Sequence, residues 1–332
     1  MQSPDYLASW KKYARWAVGI GFSGLFLYLA LRGTDLPQVI RLIKEARLVY
    51  ALAAVLSLYL SLLVRSWRWR YLLLPLKPIP VMPLFRSTII GFMANYVLPL
   101  RAGEVIRAIS IGHTQKVSKA AALGSIVLER ILDGITLALI PFLLGMILDV
   151  PRWITRASIL LLSLFVVGLI LAVIRPVRTW IQASSTHLLP LLPQAMADRL
   201  GLVAQHFFQG MQGLNRTSAL LPVTLLSLLG WLFHAMYYFF LFGALGLNLS
   251  IGVALLLEVM IGVGVSVPAG PGYVGNFEYA AIIGLALFGV AKEEALAYAL
   301  LAHMLQLIPV TLTGLLFALA GGLQFQVKRE QA

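Results

Sequence analysis

The sequence predicts an all-α fold: a polytopic transmembrane helical bundle with two re-entrant, broken-helix hairpins. Two observations support this class. Of 332 residues, 60% are hydrophobic and 12% are charged, about half the charged fraction of an average soluble domain. Several apolar stretches also approach the ~20 residues with which an α-helix crosses the hydrocarbon core of a bilayer. We therefore expect one integral membrane domain over residues 1–332.

Six stretches are expected to span the membrane, because each is almost entirely apolar over a sufficient length. They lie near residues 14–31, 49–67, 120–148, 158–174, 219–245 and 295–323. A signal peptide is the alternative for the first, but no small-x-small cleavage site precedes Arg32, so we interpret it as a retained span. The second is predicted to end in the run from Arg65 to Arg70, because arginine and tryptophan together are typical of a cytoplasmic membrane boundary.

A polar linker between the fourth and fifth spans contains an amphipathic stretch. Leu200, Val203 and Phe207 recur three or four residues apart, while arginine and glutamine occupy the other faces. This pattern predicts a linker helix near residues 196–214 on the cytoplasmic surface. A similar pattern within residues 34–50 predicts a short helix that lies in the membrane interface.

Two further apolar stretches, residues 84–105 and 252–290, are each interrupted by proline and glycine, which break a continuous helix. The interrupting residues are Pro99 and Gly103 in the first and Pro268, Gly270 and Gly272 in the second. Such interruptions in two halves of a chain are typical of transporters with inverted repeats and a central site. We therefore expect two re-entrant hairpins, related as an inverted pseudo-repeat, and the alternative is a pair of ordinary kinks.

The distribution of basic residues indicates the orientation. If the N-terminus is cytoplasmic and the hairpins open to opposite sides, most basic loop residues face the cytoplasm, as the positive-inside rule requires. The formal net charge of +13 is explained by the same loops and by anionic lipid, so no nucleic-acid partner is expected. We expect a multi-pass protein of the plasma (inner) membrane. If one hairpin spanned the membrane instead, the orientation of every segment between the two breaks would be inverted.

Charged residues cluster beside the first break, where each costs roughly 2.5–3.5 kcal/mol at the bilayer centre and therefore suggests a function. The candidate substrate-binding residues are Arg101, Glu104, Arg107, Glu129, Arg130, Asp133 and, from the second half, Glu278. Arg101 and Arg107 flank an expected helix start after Pro99, where backbone N–H groups and guanidinium forks suit phosphate oxygens. A buried ion network that includes Glu104 and binds nothing is almost equally supported, and both roles can coexist.

Glu129 and Asp133 are four residues apart and share one helix face, with Arg130 beside them. Two acids on one face would bind a cation, relay protons or hold Arg101 and Arg107. The last is the commonest role for buried carboxylates.

Glu258 and Glu278 bracket the second break and would serve a cationic headgroup or proton coupling. His234 and His303 are expected to hydrogen-bond between helices. The absence of cysteine excludes disulfides and thiol nucleophiles, and the five histidines have no metal-ligand spacing. No nucleophile elbow, P-loop or dinucleotide fingerprint occurs, so no cofactor, metal or catalytic residue is expected.

Both breaks resemble those of the lysylphosphatidylglycerol synthase transmembrane, or flippase-like, family. The matching elements are N-x-V-L-P-x-R-x-G-E-x-x-R (Asn95 to Arg107), E-R-x-x-D (Glu129 to Asp133) and P-x-G-x-G-x-x-x-x-x-E (Pro268 to Glu278). The resemblance extends from the first span to the last. It implies a flippase that moves a phosphate-containing lipid, aminoacyl-phosphatidylglycerol-like or polyprenyl-phosphate-linked, between leaflets.

The resemblance does not imply that this protein has the enzymatic activity of the family's synthases. The multiple peptide resistance factors of this family carry a soluble aminoacyl-transfer domain, whereas this sequence ends about ten residues after its last span. We therefore expect no lysyltransferase activity and no enzyme. The alternatives are a membrane enzyme or an accessory subunit of lipid or glycolipid biosynthesis. The expected partner is a membrane lipid with a phosphate headgroup, which leaves open a homo-oligomer or a lipid-biosynthesis enzyme as protein partner.

Overall fold

The computed structural model describes residues 6–98, 102–147, 151–173, 194–214 and 217–321, and the regular elements in these ranges are all helical. This confirms the all-α class. The α-helices are α1 (Tyr6–Leu31), α2 (Leu36–Lys44), α3 (Leu48–Leu73), α4 (Val81–Val97), α5 (Gly103–Gln115), α6 (Lys119–Leu144), α7 (Arg152–Val173), α8 (Gln194–Gly210), α9 (Thr217–Ala244), α10 (Ile251–Gly264), α11 (Asn276–Ala286) and α12 (Lys292–Ala320). Two 3₁₀ turns, Met211–Leu214 and Pro271–Tyr273, connect some of them.

Four described helices are long and apolar enough to cross a membrane: Leu48–Leu73, Arg152–Leu171, Ser218–Ala244 and Lys292–Ala320. Two shorter apolar stretches are Gly19–Leu31, which is the second half of α1, and Ile251–Gly264. The helix α6 has a spanning length but carries three charged residues near its middle. Length and composition therefore identify a polytopic membrane protein, with a helix over each of the six stretches that were expected to span.

The arginine–tryptophan run near the end of α3 is divided between two faces of the helix. The helix continues to Leu73, past the expected end, with Trp67 exposed on its outer face, whereas Arg65 and Arg68 are buried. Residues three or four apart share a helix face, which separates these two arginines from Trp67. Half of this run is therefore buried against other helices, and its place at a membrane boundary stays a prediction.

The helices α4 and α5 pack against each other as an antiparallel hairpin. Ser87 is hydrogen-bonded to Ser110 at 3.0 Å, and the N–H of Gly103 donates to Oδ1 of Asn95 at 2.7 Å, so numbers rise on one helix as they fall on the other. A Cβ at Gly103 would collide with the carbonyl oxygen of Gly91. Glycine at this crossing therefore lets the two backbones touch.

The helices α10 and α11 form a second antiparallel hairpin. The side-chain amide of Asn276 donates to the carbonyl of Gly264 at 3.2 Å, and Gly284 packs against Leu257 farther along both helices. The segment between them contains Gly272 and Gly275, whose φ angles of 69° and 86° favour glycine. Pro268 and Gly270 lie in the same non-helical segment, as expected for a break.

The tips of the two hairpins meet. The rings of Tyr96, at the end of α4, and Tyr273, in the second connection, are 6.2 Å apart in an edge-to-face arrangement. The helix α1 supports the second tip, because the N–H of Gly270 donates to the hydroxyl of Ser23 at 2.8 Å. The side of the membrane to which each hairpin opens stays a prediction.

The amphipathic linker helix is observed as α8, and it packs closely on α6. A Cβ at Gly210 would collide with the carbonyl of Ala121, and a Cβ at Gly124 with the carbonyl of Phe207. The two backbones are therefore in contact at both glycines, and part of the apolar face of α8 covers α6 rather than lipid.

Candidate functional site

A cavity of about 190 Å³ lies between the two hairpins. It is bounded by α3, α4, α5 and α6 from the first half of the chain and by α9, α10, α11 and α12 from the second half. The first half of the chain contributes to its lining Arg65, Asn95, Glu104 and Arg130, and the second half contributes His234, Glu258, His303 and Gln306. Charged and polar groups from both halves thus converge on one space inside an apolar protein.

Glu129 holds two buried arginines from other helices. Its carboxylate accepts two hydrogen bonds from the guanidinium of Arg107, at 2.9 and 3.1 Å, in a bidentate pair. A guanidinium nitrogen of Arg68 lies 3.4 Å from the same carboxylate, and the Glu129 and Arg68 side chains are each only 1% exposed. Bidentate pairing fixes the plane of the Arg107 guanidinium as well as its position.

Asp133, one turn farther along α6, is paired with Arg68 at 2.8 Å and approached by Arg65 at 3.5 Å. Arg130 lies 3.5 Å from the same carboxylate and 3.3 Å from Glu129. One helix therefore supplies both acids, and α3 and α5 supply three of the four arginines.

Two tryptophan rings support this cluster. The guanidinium of Arg107 lies over the ring of Trp69 at 3.8 Å, and that of Arg65 lies over the ring of Trp231 at 4.2 Å. The indole N–H of Trp69 donates to the hydroxyl of Ser125 at 2.9 Å, which orients the ring. Guanidinium planes on aromatic faces are favourable where water is excluded, so the rings hold both arginines in place.

The cluster has more positive than negative charge. Four guanidinium groups face two carboxylates, a formal excess of two positive charges. Arg130 is the most accessible member, with a side chain 41% exposed, and both Arg130 and Arg65 line the cavity. Glu104 lines it too, and shares a side pocket of about 30 Å³ with Arg107 and Arg130, so it offsets one of these charges.

The second half contributes two histidine–carboxylate pairs. His303 Nδ1 lies 2.5 Å from Oε1 of Glu278, and its Nε2 lies 2.7 Å from the carbonyl oxygen of Gly272. His234 on α9 is hydrogen-bonded to Glu258 on α10, and both line the cavity. The expectation that both histidines hydrogen-bond between helices is thus met. Among the described residues, no group of three or more His, Cys, Asp or Glu is arranged to hold a metal ion.

The structure brings together four of the predicted site residues and separates others. Arg107, Glu129, Arg130 and Asp133 form one cluster. Glu104 lies at the cavity and makes no ion pair with a described side chain. Glu278 is buried in the other half, whereas Pro99 and Arg101 lie outside the described residues.

Two partners differ from the prediction. One expectation was that Glu129 and Asp133 hold Arg101 and Arg107. Glu129 does hold Arg107, whereas Asp133 is paired with Arg68 and Arg65, which were assigned to the membrane boundary. Helix periodicity was the signal that would have found these two arginines, because they lie on the same face of α3 as buried serine and leucine residues.

Comparison with known proteins covers most of the chain. The family model of the lysylphosphatidylglycerol synthase TM region matches residues 16–314. A UPF0104 membrane protein of Methanocaldococcus jannaschii is 23% identical over 229 residues, which cover 66% of this chain and 90% of that protein.

Proposed function

This chain belongs to the lysylphosphatidylglycerol synthase transmembrane family, a premise from which we propose that it is a lipid flippase that moves a phosphate-containing lipid between leaflets. Membership of this family supports a lipid-related role in a membrane. The more specific proposal, a flippase, rests on our interpretation of the cavity. We place it in the plasma (inner) membrane with a cytoplasmic N-terminus, and we propose that it acts by transport rather than by chemical conversion.

The excess positive charge beside the cavity is the observation that supports this proposal most directly. Buried charge is costly unless it is paired, and Glu129 and Asp133 carry two charges fewer than the four arginines with which they form ion pairs, while Glu104 and Glu258 line the cavity beside this cluster. An anionic group in the cavity would supply the missing charge. A lipid phosphate is an anion that a membrane protein meets at high local concentration, and guanidinium groups bind phosphate oxygens well.

Arg130 and Arg65 are the arginines that we assign to the phosphate. Both line the cavity, and Nε of Arg130 is buried with no hydrogen-bond partner in the described structure. The sequence suggested Arg101 and Arg107 for this role. Arg101 lies outside the described residues, and the guanidinium fork of Arg107 is occupied by Glu129 and its face by Trp69. We therefore propose that Arg107 positions the cluster and does not bind the lipid.

The size of the cavity suggests which part of the lipid enters. A volume of about 190 Å³ corresponds to the space of roughly a dozen water molecules. This is enough for a polar headgroup and too little for acyl chains as well. We propose that the headgroup crosses through the cavity while the chains remain in the surrounding bilayer.

Purified protein in liposomes tests the proposal. We expect fluorescent phosphatidylglycerol to become equally distributed between leaflets, with unchanged mass, while a neutral glycosyl diacylglycerol with the same label stays in its leaflet. A lipid whose mass changes would indicate a membrane enzyme instead. Absence of redistribution for every phospholipid tested would leave an accessory subunit as the remaining candidate.

The Arg130→Gln variant tests whether Arg130 binds the lipid phosphate or only supports the fold. We expect it to slow redistribution by about tenfold or more, because one charge-assisted bond to phosphate is worth roughly 1.5–3 kcal/mol. Arg156→Gln removes an exposed arginine and is the matched control. Equal transport by both variants, with equal melting temperatures, would remove Arg130 from the lipid site.

A further inference from the structure

The hydrogen bonds of His303 show where one proton must lie. The carbonyl of Gly272 can only accept, so the Nε2 that lies 2.7 Å from it carries a hydrogen. On the other side of the ring, Nδ1 lies 2.5 Å from Oε1 of Glu278. A lone pair on Nδ1 and a carboxylate oxygen would repel at this distance, so a second hydrogen lies between them.

That second hydrogen is an exchangeable proton. It belongs either to a charged imidazolium next to a carboxylate or to a glutamic acid next to a neutral imidazole. In both cases the pair holds one proton more than a neutral histidine and a free carboxylate. Glu278 and His303 are 2% and 5% exposed, and His303 borders the cavity, which provides a route for the proton.

The pair also holds the tip of the second hairpin. His303 binds the carbonyl of Gly272, and Oε2 of Glu278 accepts the N–H of Gly275 at 2.6 Å. Between these two glycines lies Tyr273, whose ring contacts Tyr96 of the first hairpin. Without this proton, the imidazole and the carboxylate would repel each other and move apart. The two hydrogen bonds that hold the tip, to Gly272 and from Gly275, would then separate as well.

We propose that Glu278 and His303 together bind one exchangeable proton that holds the two hairpin tips in contact, and that lipid movement is coupled to its release. The coupling rests on the proposed flippase function, whereas the proton site does not.

Other groups surround the pair and share its cavity. The titratable and charged residues that line this space are Arg65 on α3, Tyr96 on α4, Glu104 on α5, Arg130 on α6, His234 and Tyr238 on α9, Glu258 on α10 and Tyr273 at the tip. The described side chains of α1 include no charged residue, and the basic residues Arg41 and Lys44 of α2 are exposed. The ring of Phe277 stacks on His303 at 4.5 Å and covers one face of the imidazole.

A cysteine placed at the tip of the second hairpin reports whether release of the proton frees this tip. The chain has no cysteine, so Val274→Cys places a single thiol beside Gly275, at a position 41% exposed in the parent. Its labelling rate is divided by that of Glu45→Cys, an exposed reference, which removes the pH dependence that the two thiol reactions share. We expect this ratio to be at least about fivefold higher at high pH than at low pH.

Glu278→Gln tests the assignment. The amide of glutamine donates to Nδ1 of His303 and accepts from Gly275, so it imitates the proton-bound pair at every pH. We expect a low labelling ratio without pH dependence, while His113→Gln, an exposed histidine, keeps the parental response. A parental ratio that stays constant with pH, in protein that remains folded, would overturn the proton site.

Lipid exchange, measured with the same pH inside and outside the liposomes, distinguishes the proton site from the flippase function. We expect the rate of lipid exchange to change with pH in parallel with the labelling ratio in the parent and to be pH-independent in Glu278→Gln. A tip that responds to pH in protein that moves no lipid supports the proton site and overturns the flippase. Exchange with no pH dependence overturns the coupling and leaves the flippase intact.

Discussion

At the scale of residues, Arg68 connects the two acids of α6. It is 1% exposed, lies 2.8 Å from Asp133 and 3.4 Å from Glu129, and donates to the hydroxyl of Ser227 at 3.1 Å. Buried ion pairs contribute little net stability, but loss of one partner leaves an uncompensated charge. The cluster is therefore sensitive to the removal of an acid, which would enlarge an existing positive excess.

We expect Asp133→Asn to destabilise the protein by about 3–5 kcal/mol, because three arginines lose a counter-charge within 4 Å. Thermal unfolding in detergent measures the effect, and Glu45→Gln, an exposed acid, is the control. Combining Asp133→Asn with Arg68→Met should raise the melting temperature again. An unchanged melting temperature in the single variant would show that the network does not hold the fold.

At the scale of elements, the first hairpin depends on close contact between α4 and α5. Gly103 faces the carbonyl of Gly91 and the side chain of Asn95, with no room for a methyl group. The contact also places Glu104 and Arg107, both on α5, at the side pocket of the cavity. A change in the helix separation would therefore affect the site as well as the fold.

We expect Gly103→Ala to lower the melting temperature and to impair lipid exchange, because the added Cβ forces the hairpin apart. Gly168→Ala is a matched control in α7, where the added Cβ meets no atom within 4 Å. Alanine is favoured over glycine in a helix interior by about 1 kcal/mol, so this control should be neutral or slightly stabilising. Equal behaviour of the two variants would contradict the close packing at Gly103.

At the scale of the whole molecule, we predict that the two hairpins open to opposite sides of the membrane. Single cysteines at Val81 and Lys116, which flank the first hairpin, should react with an impermeant reagent from the cytoplasm only. A cysteine at Ala291, after the second hairpin, should react from outside only. Reaction of the first two positions from opposite sides would show that residues 84–105 span the membrane.

The sequence by itself determined the membrane class, the helical content and the positions of both breaks. These properties depend on composition and on neighbours within one or two helical turns. Hydropathy located the six stretches at which the structure has helices, four of them long and apolar enough to cross a membrane, and the spacing of Glu129 and Asp133 placed both acids on one face of α6. Pro268 and the glycines that follow were sufficient to predict the non-helical connection of the second hairpin.

Only the tertiary structure decided which charged groups are partners. Arg68 and Asp133 are 65 residues apart, and His303 reaches a backbone carbonyl 31 residues away. The sequence shows that each is charged or polar in an apolar segment, but several partners would satisfy each of them equally. The packing of α3 against α6 and of α12 against α11 selects one arrangement, because a buried polar group must find its partner among the residues that the fold brings within hydrogen-bonding distance.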